Sequence, residues 1–264
     1  MHDEVNAAVP ESLSAGASEE VFGEALPQAE KYAELLAGTG VQRGLIGPAE
    51  ADRIWERHLL NCAAVAHLLP ARCSMVDLGS GAGLPGIVLA MMLPQARVTL
   101  LEPLARRVDF LTEAISELGL SNAEVVRARA EDLAGQVSAD VVTARAVAPL
   151  DKLAGLALGL LRPGGRVLAI KGSTAEAELA KARPVLARLG VADARVVRAA
   201  SPGGEATATV VTFTAPEHRN ASAPGIRASG HATSRGPTRG GRAGLPAGPP
   251  GTRKGRPNSR RGGG

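Results

Sequence analysis

The sequence contains few aromatic residues and only two cysteines. Phe, Trp and Tyr make up 2% of its 264 residues, so the 45% hydrophobic content is mostly Ala, Leu and Val, and few rings are available to stack on nucleobases. Cys62 and Cys73 do not form a C-x-x-C pair, which argues against a disulfide framework. No apolar run approaches the roughly 20 residues of a membrane-spanning helix. These features predict a cytoplasmic protein without membrane contact.

The net charge of +4 is divided between two regions of opposite sign. Residues 216–264 contain ten Lys or Arg and a single acid, a net charge of +9, so the residues before them carry −5. This segment is mainly Gly, Pro, Arg, Ser and Ala, and its few apolar side chains cannot offset the entropy of ordering it. We expect a disordered basic tail, which is either a salt-sensitive binder of RNA phosphates or a solubilising extension.

The most informative stretch is MVDLGSGAGLPG, residues 75–86. A short apolar strand containing Asp77 is followed by four glycines within eight residues and then by the helical run Ile87–Leu93. Parallel α/β sheets use this order to present backbone N–H groups to nucleotide-like ligands. Two interpretations are open. Residues 81–86 are a literal G-x-G-x-x-G, as in dinucleotide sites, whereas residues 79–83 after an acid are typical of S-adenosylmethionine (SAM) methyltransferases. The Asp77 carboxylate favours SAM, because it attracts an ammonium group and repels a pyrophosphate.

Strands and helices alternate after residue 73, which predicts an α/β fold with a doubly wound, mostly parallel seven-stranded sheet and an antiparallel C-terminal hairpin. We expect a flexible leader (1–18), a helical N-terminal prologue (19–72), a nucleotide-binding domain (73–215) and the basic tail (216–264). The prologue should contain one long helix from about Pro48 to Leu69. A turn at residues 162–165 should precede the fifth strand, and the last two strands should be Val191–Ala200 and Thr207–Thr214.

Several further segments carry a family resemblance: RHLLN (57–61), VDLGSGAGLPGI (76–87), LLEPLARRVDFL (100–111), RAEDL (129–133), ARAVAPL (144–150) and LAIKG (168–172). With these segments the chain resembles, over about residues 32–214, the RsmG (glucose-inhibited division protein B) family of SAM-dependent methyltransferases that act on guanine N7 in 16S ribosomal RNA. Asn61-Cys62 stands where many members have Asp-Ser, and Gly44–Gly47 replaces an Asn-Leu-Thr run. Both departures lie in the prologue.

The resemblance implies a Rossmann-like class I methyltransferase that binds SAM, acts on 16S rRNA or the small ribosomal subunit, needs no metal and works as a monomer. The implied cofactor-binding residues, including a strand-end carboxylate for the ribose hydroxyls, are Asp77, Gly79, Gly81, Leu84, Glu102, Ala130, Glu131 and Arg145. The candidate RNA-binding residues are Arg57, His58 and Lys171. No catalytic residue is assigned beyond positioning, for which Arg145 is the candidate.

The chemistry of N7 agrees with the residue types that are missing. Guanine N7 has an in-plane lone pair and no proton to remove, so catalysis reduces to alignment, and the sequence shows no evident general base. Neither cysteine lies in the nucleophile motif of enzymes that methylate cytosine C5. The sequence also lacks the Asn/Asp-Pro-Pro-Tyr run of enzymes that methylate exocyclic amines. The five histidines lack metal-ligand spacing. An NAD-linked oxidoreductase, a non-catalytic RNA-binding assembly factor and a small-molecule SAM enzyme remain as alternatives.

Overall fold

The computed structural model describes residues 15–201, 204 and 206–217. The predicted basic tail beyond residue 217 and the leader before residue 15 lie outside these residues, and the proposed domain boundaries stay predictions. The prologue is helical, as expected. Its α-helices are α1 (Ala15–Phe22), α2 (Leu26–Leu35) and α3 (Leu60–Ala66). Its other helical segments are two of 3₁₀ type, Gly23–Ala25 and Pro48–Arg53, and two of π type, Leu36–Gly40 and Ile54–Leu59.

The expectation of one continuous helix from Pro48 to Leu69 is wrong. The segment begins at Pro48 in 3₁₀ geometry, changes to π geometry at Ile54 and becomes α-helical only from Leu60. Arg53 (φ −119°, ψ 15°) lies outside helical geometry and interrupts the segment. The wider π turn that follows carries Arg57 and His58, and such turns are common near functional sites.

Seven strands form one sheet, which confirms the predicted fold class. The strands are β1 (Ser74–Leu78), β2 (Arg97–Leu101), β3 (Ala123–Val126), β4 (Ala139–Arg145), β5 (Leu161–Lys171), β6 (Arg195–Ala200) and β7 (Thr207–Thr214). Their order is β3-β2-β1-β4-β5-β7-β6. The first five strands are parallel, and β7 runs antiparallel between β5 and β6. The strand order reverses between β1 and β4, where ligands bind in open α/β sheets.

Helices cover both faces of the sheet. They are α4 (Gly86–Met92), α5 (Ala105–Leu118), α6 (Ala130–Leu133), α7 (Leu150–Leu160) and α8 (Ala175–Arg188). One apolar cluster joins the prologue to α4 and α5, and the other joins α7 and α8 to the opposite face. The prologue therefore shares a core with the sheet. None of the helices in the described part of the chain is long and apolar enough to cross a bilayer.

Two predicted boundaries in the second half of the sheet are wrong. The expected turn at residues 162–165 lies inside β5, where Ala139 pairs with Leu161 and Val141 with Arg166, so the four residues between form a bulge. Strand β6 begins at Arg195 instead of Val191. The residues directly before Arg195 do not pair as a strand. Instead, the Asp193 carboxylate accepts hydrogen bonds from N and Oγ1 of Thr214.

Candidate functional site at the carboxyl edge of the sheet

The glycine loop after β1 is closed by its own hydrogen bonds. The N–H groups of Gly79 and Ser80 both donate to the carbonyl of Leu101 (2.8 and 3.2 Å), and the N–H of Gly83 donates to the carbonyl of Ser80 (2.7 Å). The N–H of Gly81 donates to Oε2 of Glu102 at 3.0 Å. These amides would be the anion donors of a dinucleotide site. Because they are already bonded within the protein, the loop is poorly suited to a pyrophosphate.

Gly79 and Gly81 both have positive φ, but their surroundings differ. At Gly79 (φ +67°) an added Cβ would lie 2.9 Å from Cγ2 of Val147, so a glycine is needed for the close approach of the loop that follows β4. At Gly81 (φ +60°) the nearest atom would be 3.9 Å away. Gly81 therefore has free space beside it, as a residue facing a ligand requires.

Asp77 is fully buried beneath the loop. Its Oδ1 accepts a hydrogen bond from Oγ1 of Thr143 (3.0 Å), and its Oδ2 accepts one from the N–H of Gly86 (3.1 Å). Burial raises the pKa of this carboxyl to about 6, although hydrogen bonds from Ser80, Thr143 and Gly86 act in the opposite direction. The carboxylate thus ties β1 to β4 and to the start of α4, and its predicted contact with an ammonium group stays a prediction.

Glu102 follows β2 and is buried at the same edge. Besides the Gly81 amide, it accepts a hydrogen bond from the N–H of Leu104 at 3.0 Å, and Nη1 of Arg107 lies 3.5 Å from its Oε2. A carboxylate has about four acceptor positions and the two amides use two of them, so Glu102 keeps acceptor capacity although only 1% of the residue is exposed. The Nε–H of Arg107 is buried and has no hydrogen-bond partner in the described part of the chain. An unused donor therefore lies beside the carboxylate predicted to bind ribose.

The side chains of three other predicted residues, Leu84, Ala130 and Glu131, form none of the hydrogen bonds that close the glycine loop. Leu84 is buried in the cluster shared with the prologue, so the structure shows it as a core residue. Ala130 begins α6 after β3 and is buried, whereas Glu131 beside it is exposed. Their place after the neighbouring parallel strand is consistent with the predicted adenine contact, which stays a prediction.

Tyr32 is a residue of this site that the sequence analysis missed. It is fully buried, and its hydroxyl donates a hydrogen bond of 2.6 Å to the carbonyl of Ala82 in the glycine loop. Burial raises its pKa well above the ordinary value of 10. The contact fastens α2 of the prologue to the loop. No local pattern marks it, since Tyr32 lies 50 residues before its partner.

Arg145, the last residue of β4, contacts the prologue. Its Nη2 donates to the carbonyl of Arg57 (3.0 Å) and lies 2.7 Å from Nδ1 of His58, and its Nη1 donates to Sγ of Cys62 (3.3 Å). Arg145 is therefore bound by three prologue residues, including two on the π turn. This contact brings together three of the predicted site residues, Arg57, His58 and Arg145.

His58 is neutral in this arrangement. Burial lowers its pKa to about 4, helped by the positive charge of Arg145 and only partly opposed by Glu50. Because guanidinium can only donate, Nδ1 of His58 must be the acceptor and its Nε2 carries the proton. Nε2 lies 3.2 Å from Oε2 of Glu50, whose Oε1 lies 2.7 Å from Nη1 of Arg57. Nε2 is buried and makes no hydrogen bond within the described residues, and Arg145 occupies the one acceptor atom, Nδ1, so this histidine is not available as a general base.

Lys171, the last residue of β5, is ion-paired. Its Nζ lies 2.8 Å from Oε2 of Glu178 on α8 and donates to the carbonyl of Ala148 at 3.1 Å. The pair borders two grooves of about 500 and 480 Å³, which both include Ala146. The second groove also contains Arg57, Asn61 and Arg145. Sequence reasoning missed Glu178, because a helical Glu seven residues after Lys171 has no distinctive pattern.

The predicted residues thus fall into two groups along one edge. Asp77, Gly79, Gly81 and Glu102 lie in or beside the glycine loop. Arg57, Arg145 and Lys171 line the second groove, and His58 lies behind it in contact with Arg145. Within the described residues, no group of His, Cys, Asp and Glu is arranged to hold a metal ion.

Comparisons with known proteins show what this chain is similar to. A profile of the family GidB, described as rRNA small subunit methyltransferase G, matches residues 25–205. A ribosomal RNA small subunit methyltransferase G from Thermobifida fusca is 56% identical over 198 residues, covering 75% of this chain and 84% of that protein. The protein of the same name from Mycolicibacterium gilvum is 53% identical over 209 residues, covering 77% and 92%. A SAM-dependent O-methyltransferase structure from Thermotoga maritima aligns with 60% of this chain and 66% of its own at 16% identity, with a TM-score of 0.48.

Proposed function

The chain belongs to the GidB family of rRNA small subunit methyltransferase G proteins, and from this premise we propose that it methylates N7 of a guanine in 16S rRNA. Family membership confirms the predicted enzyme class, an rRNA methyltransferase, and the predicted cofactor, SAM. The target atom, the roles of the site residues and the form of the substrate are the proposal.

One observation of the structure supports the binding of SAM, and not NAD, at this site. The glycine-loop amides are bonded to Leu101, Ser80 and Glu102, so a pyrophosphate would find few free donors. SAM has no phosphate and instead presents ribose hydroxyls and an amino-acid end. Glu102 retains acceptor capacity for hydroxyls, Arg107 holds an unused buried donor beside it, and Gly81 has free space. These groups fit SAM better than NAD.

When bound, SAM would supply an electrophilic methyl group to the N7 lone pair, and Gly79, Gly81 and Glu102 would hold it. Because N7 has no proton to lose, methyl transfer to it would need no general base, in agreement with a neutral His58 whose Nδ1 is already bonded to Arg145. The residues of this chain contribute binding and alignment. The catalytic assignment therefore stays positional.

We assign roles by the half of the edge on which each residue lies. In the proposed arrangement Gly79, Gly81 and Glu102 hold the cofactor directly, and Asp77 supports the loop from below. Leu84, Ala130 and Glu131 complete the cofactor side. Arg145 connects the cofactor side to the RNA side, where Arg57, His58 and Lys171 line or support the second groove.

The substrate is either naked 16S rRNA or the small ribosomal subunit, and a monomer acting in the cytoplasm is the simplest arrangement. Incubation with methyl-tritiated SAM and each RNA form separates the substrates, and borohydride and aniline cleavage maps 7-methylguanine. Light scattering measures the oligomeric state. We expect label at one guanine in at least one RNA form. A chain that transfers no label to either form contradicts the proposal.

A variant pair tests the cofactor side by calorimetry. Glu102→Gln removes the charge that accepts the ribose hydroxyls, and we expect SAM affinity to fall about tenfold or more, since hydrogen bonds to charged groups contribute about 1.5–3 kcal/mol. Glu124→Gln is the matched control, because Glu124 is exposed on the neighbouring strand β3. Binding of NAD in place of SAM would instead support the oxidoreductase alternative.

A further inference from the structure

The ion pair between Lys171 and Glu178 is the starting point of this inference, because it lies beside open space. It borders both grooves at the carboxyl ends of β4 and β5. The Lys171 side chain is 9% exposed and that of Glu178 is 30% exposed, so the lysine is held in place while the carboxylate faces the groove. Because the carboxylate neutralises the lysine and repels anions, this pair is a poor phosphate site.

The loop between β4 and α7 connects this pair to the cofactor side. Val147 packs directly against Gly79 of the glycine loop, and the next residue, Ala148, accepts a hydrogen bond from Lys171. Ala146 before them has a positive φ of 55°, which is unusual for a residue with a Cβ, and is exposed in both grooves. Strands β1, β4 and β5 are consecutive, so about 10 Å separates the glycine loop from the pair. A nucleobase spans a comparable distance.

We propose that Lys171 and Glu178 recognise the Watson–Crick edge of the target guanine; this inference rests on the proposed function. The pair offers one donor, Nζ of Lys171, beside the two carboxylate oxygens of Glu178. Oε2 accepts from Nζ and Oε1 accepts from Oγ1 of Thr174 at 3.2 Å, which leaves about half of the acceptor positions of the carboxylate for a ligand. Guanine presents the complement, with O6 as acceptor and N1–H and N2–H as donors. Adenine, cytosine and uracil do not have this order of groups. Contacts on that edge leave N7 free for methyl transfer, as base-modifying enzymes require when they read an extruded base.

The two members of the pair act differently during transfer. Methylation leaves a positive charge on the purine, which strengthens the hydrogen bonds from N1–H and N2–H to Glu178 and weakens the contact between Lys171 and O6. The two effects oppose each other, so the pair acts mainly in selecting guanine. We therefore expect its loss to appear in kcat/KM and in base discrimination.

The first test compares two RNA substrates that differ by one amino group. One 16S rRNA carries guanosine at the mapped target, and the other, assembled by ligation, carries inosine, which lacks the N2 amino group. The wild-type enzyme should prefer guanosine by about tenfold or more, the contribution of one hydrogen bond to a charged acceptor. Glu178→Gln should lower kcat/KM on guanosine by about 100-fold and bring the guanosine-to-inosine ratio close to one. SAM affinity should not change.

Two further variants separate recognition from a structural ion pair. Glu176→Gln removes an exposed carboxylate from the same first turn of α8 and should leave both ratios unchanged. The double variant Lys171→Glu with Glu178→Lys retains an ion pair but reverses its donors and acceptors. It should unfold at a temperature close to wild type and bind SAM, yet remain unable to methylate guanosine.

The outcomes are distinct. If the double variant regains methylation, or if Glu178→Gln keeps the wild-type guanosine preference, the pair is structural and the inference is overturned. If the wild-type enzyme transfers no methyl group to any RNA, the proposed function itself fails.

Discussion

The two halves of the carboxyl edge are built in different ways. Around β1 and β2, the carboxylates of Asp77 and Glu102 are buried and accept hydrogen bonds from backbone N–H groups of the glycine loop and its flanks. Around β4 and β5, the side chains of Lys171 and Glu178 form an ion pair at the border of open grooves, and Oγ1 of Thr174 also donates to Glu178. One half is fixed by the main chain, and the other by side chains.

This difference follows the two ligands. A small cofactor of constant shape suits a loop whose geometry is set before binding, because little ordering is left to occur. An RNA base must enter from solvent, and partly exposed ion pairs exchange partners at small cost, since the water they already contact weakens them. Arg145 joins the halves by linking β4 to the prologue.

The largest expected effect comes from disrupting the half around β1 and β2, which the main chain fixes and which we call the main-chain half; the half around β4 and β5 is the side-chain half. In Gly86→Ala, the new Cβ would overlap Cδ2 of Leu100 and lie 2.7 Å from Oδ2 of Asp77. We expect a loss of about 3–5 kcal/mol in the free energy of unfolding, measured in urea, because neither neighbour can move without disturbing the core. Gly155→Ala is the control, since that helical position is exposed and open, and it should be neutral or slightly stabilising.

The next effect concerns pH, because each half contains a buried titratable group and the pKa values of the two groups are shifted in opposite directions. The pKa of Asp77 is raised to about 6 and that of His58 is lowered to about 4. Because its pKa is raised, the Asp77 carboxyl binds more protons in the folded state than in the unfolded state, and its contribution to the free energy of unfolding falls as pH rises from 4 to 6. Because its pKa is lowered, His58 binds fewer protons in the folded state than in the unfolded state, and its contribution to the free energy of unfolding rises between pH 4 and 6.5. The two contributions largely cancel in the wild type.

Single variants should expose each contribution. In Asp77→Asn only His58 remains, and relative to wild type the free energy of unfolding should fall by roughly 3 kcal/mol on acidification from pH 6.5 to 4. In His58→Asn, where the amide oxygen replaces Nδ1 as acceptor for Arg145, it should rise by a similar amount. Urea titrations across this range measure both. Parallel pH profiles for the two variants would contradict the assigned pKa shifts.

Sequence reasoning located the main-chain half better than the side-chain half, for a physical reason. Parallel strands place their carboxyl ends at one edge, so Asp77, the glycines and Glu102 were predictably neighbours. The partners of Arg145 lie 83–88 residues away, and nothing local encodes that contact. The π turn at Ile54–Leu59 was missed as well, because its apolar spacing also suits an α-helix. Side-chain pairing depends on tertiary packing, which periodicity does not describe.

A smaller effect tests the bond between the prologue and the glycine loop. Tyr32→Phe removes the hydroxyl that donates to the carbonyl of Ala82 and leaves a buried acceptor without its partner. We expect a loss of about 1–2 kcal/mol in unfolding free energy and a several-fold weaker affinity for SAM, measured by calorimetry. Unchanged SAM affinity with lowered stability would show that the prologue supports the fold without shaping the loop.

The smallest effect decides whether the side-chain half can exchange partners. A substrate base can contact Lys171 and Glu178 together only if their mutual ion pair loosens at small cost, so Glu178→Gln should lower the free energy of unfolding by no more than about 1 kcal/mol. The surface pair Arg43–Glu113, whose side chains are 37% and 50% exposed, gives the reference. Glu113→Gln should cost less than about 0.5 kcal/mol. A loss of 3 kcal/mol or more for Glu178→Gln would show a rigid structural pair, which a base could not displace.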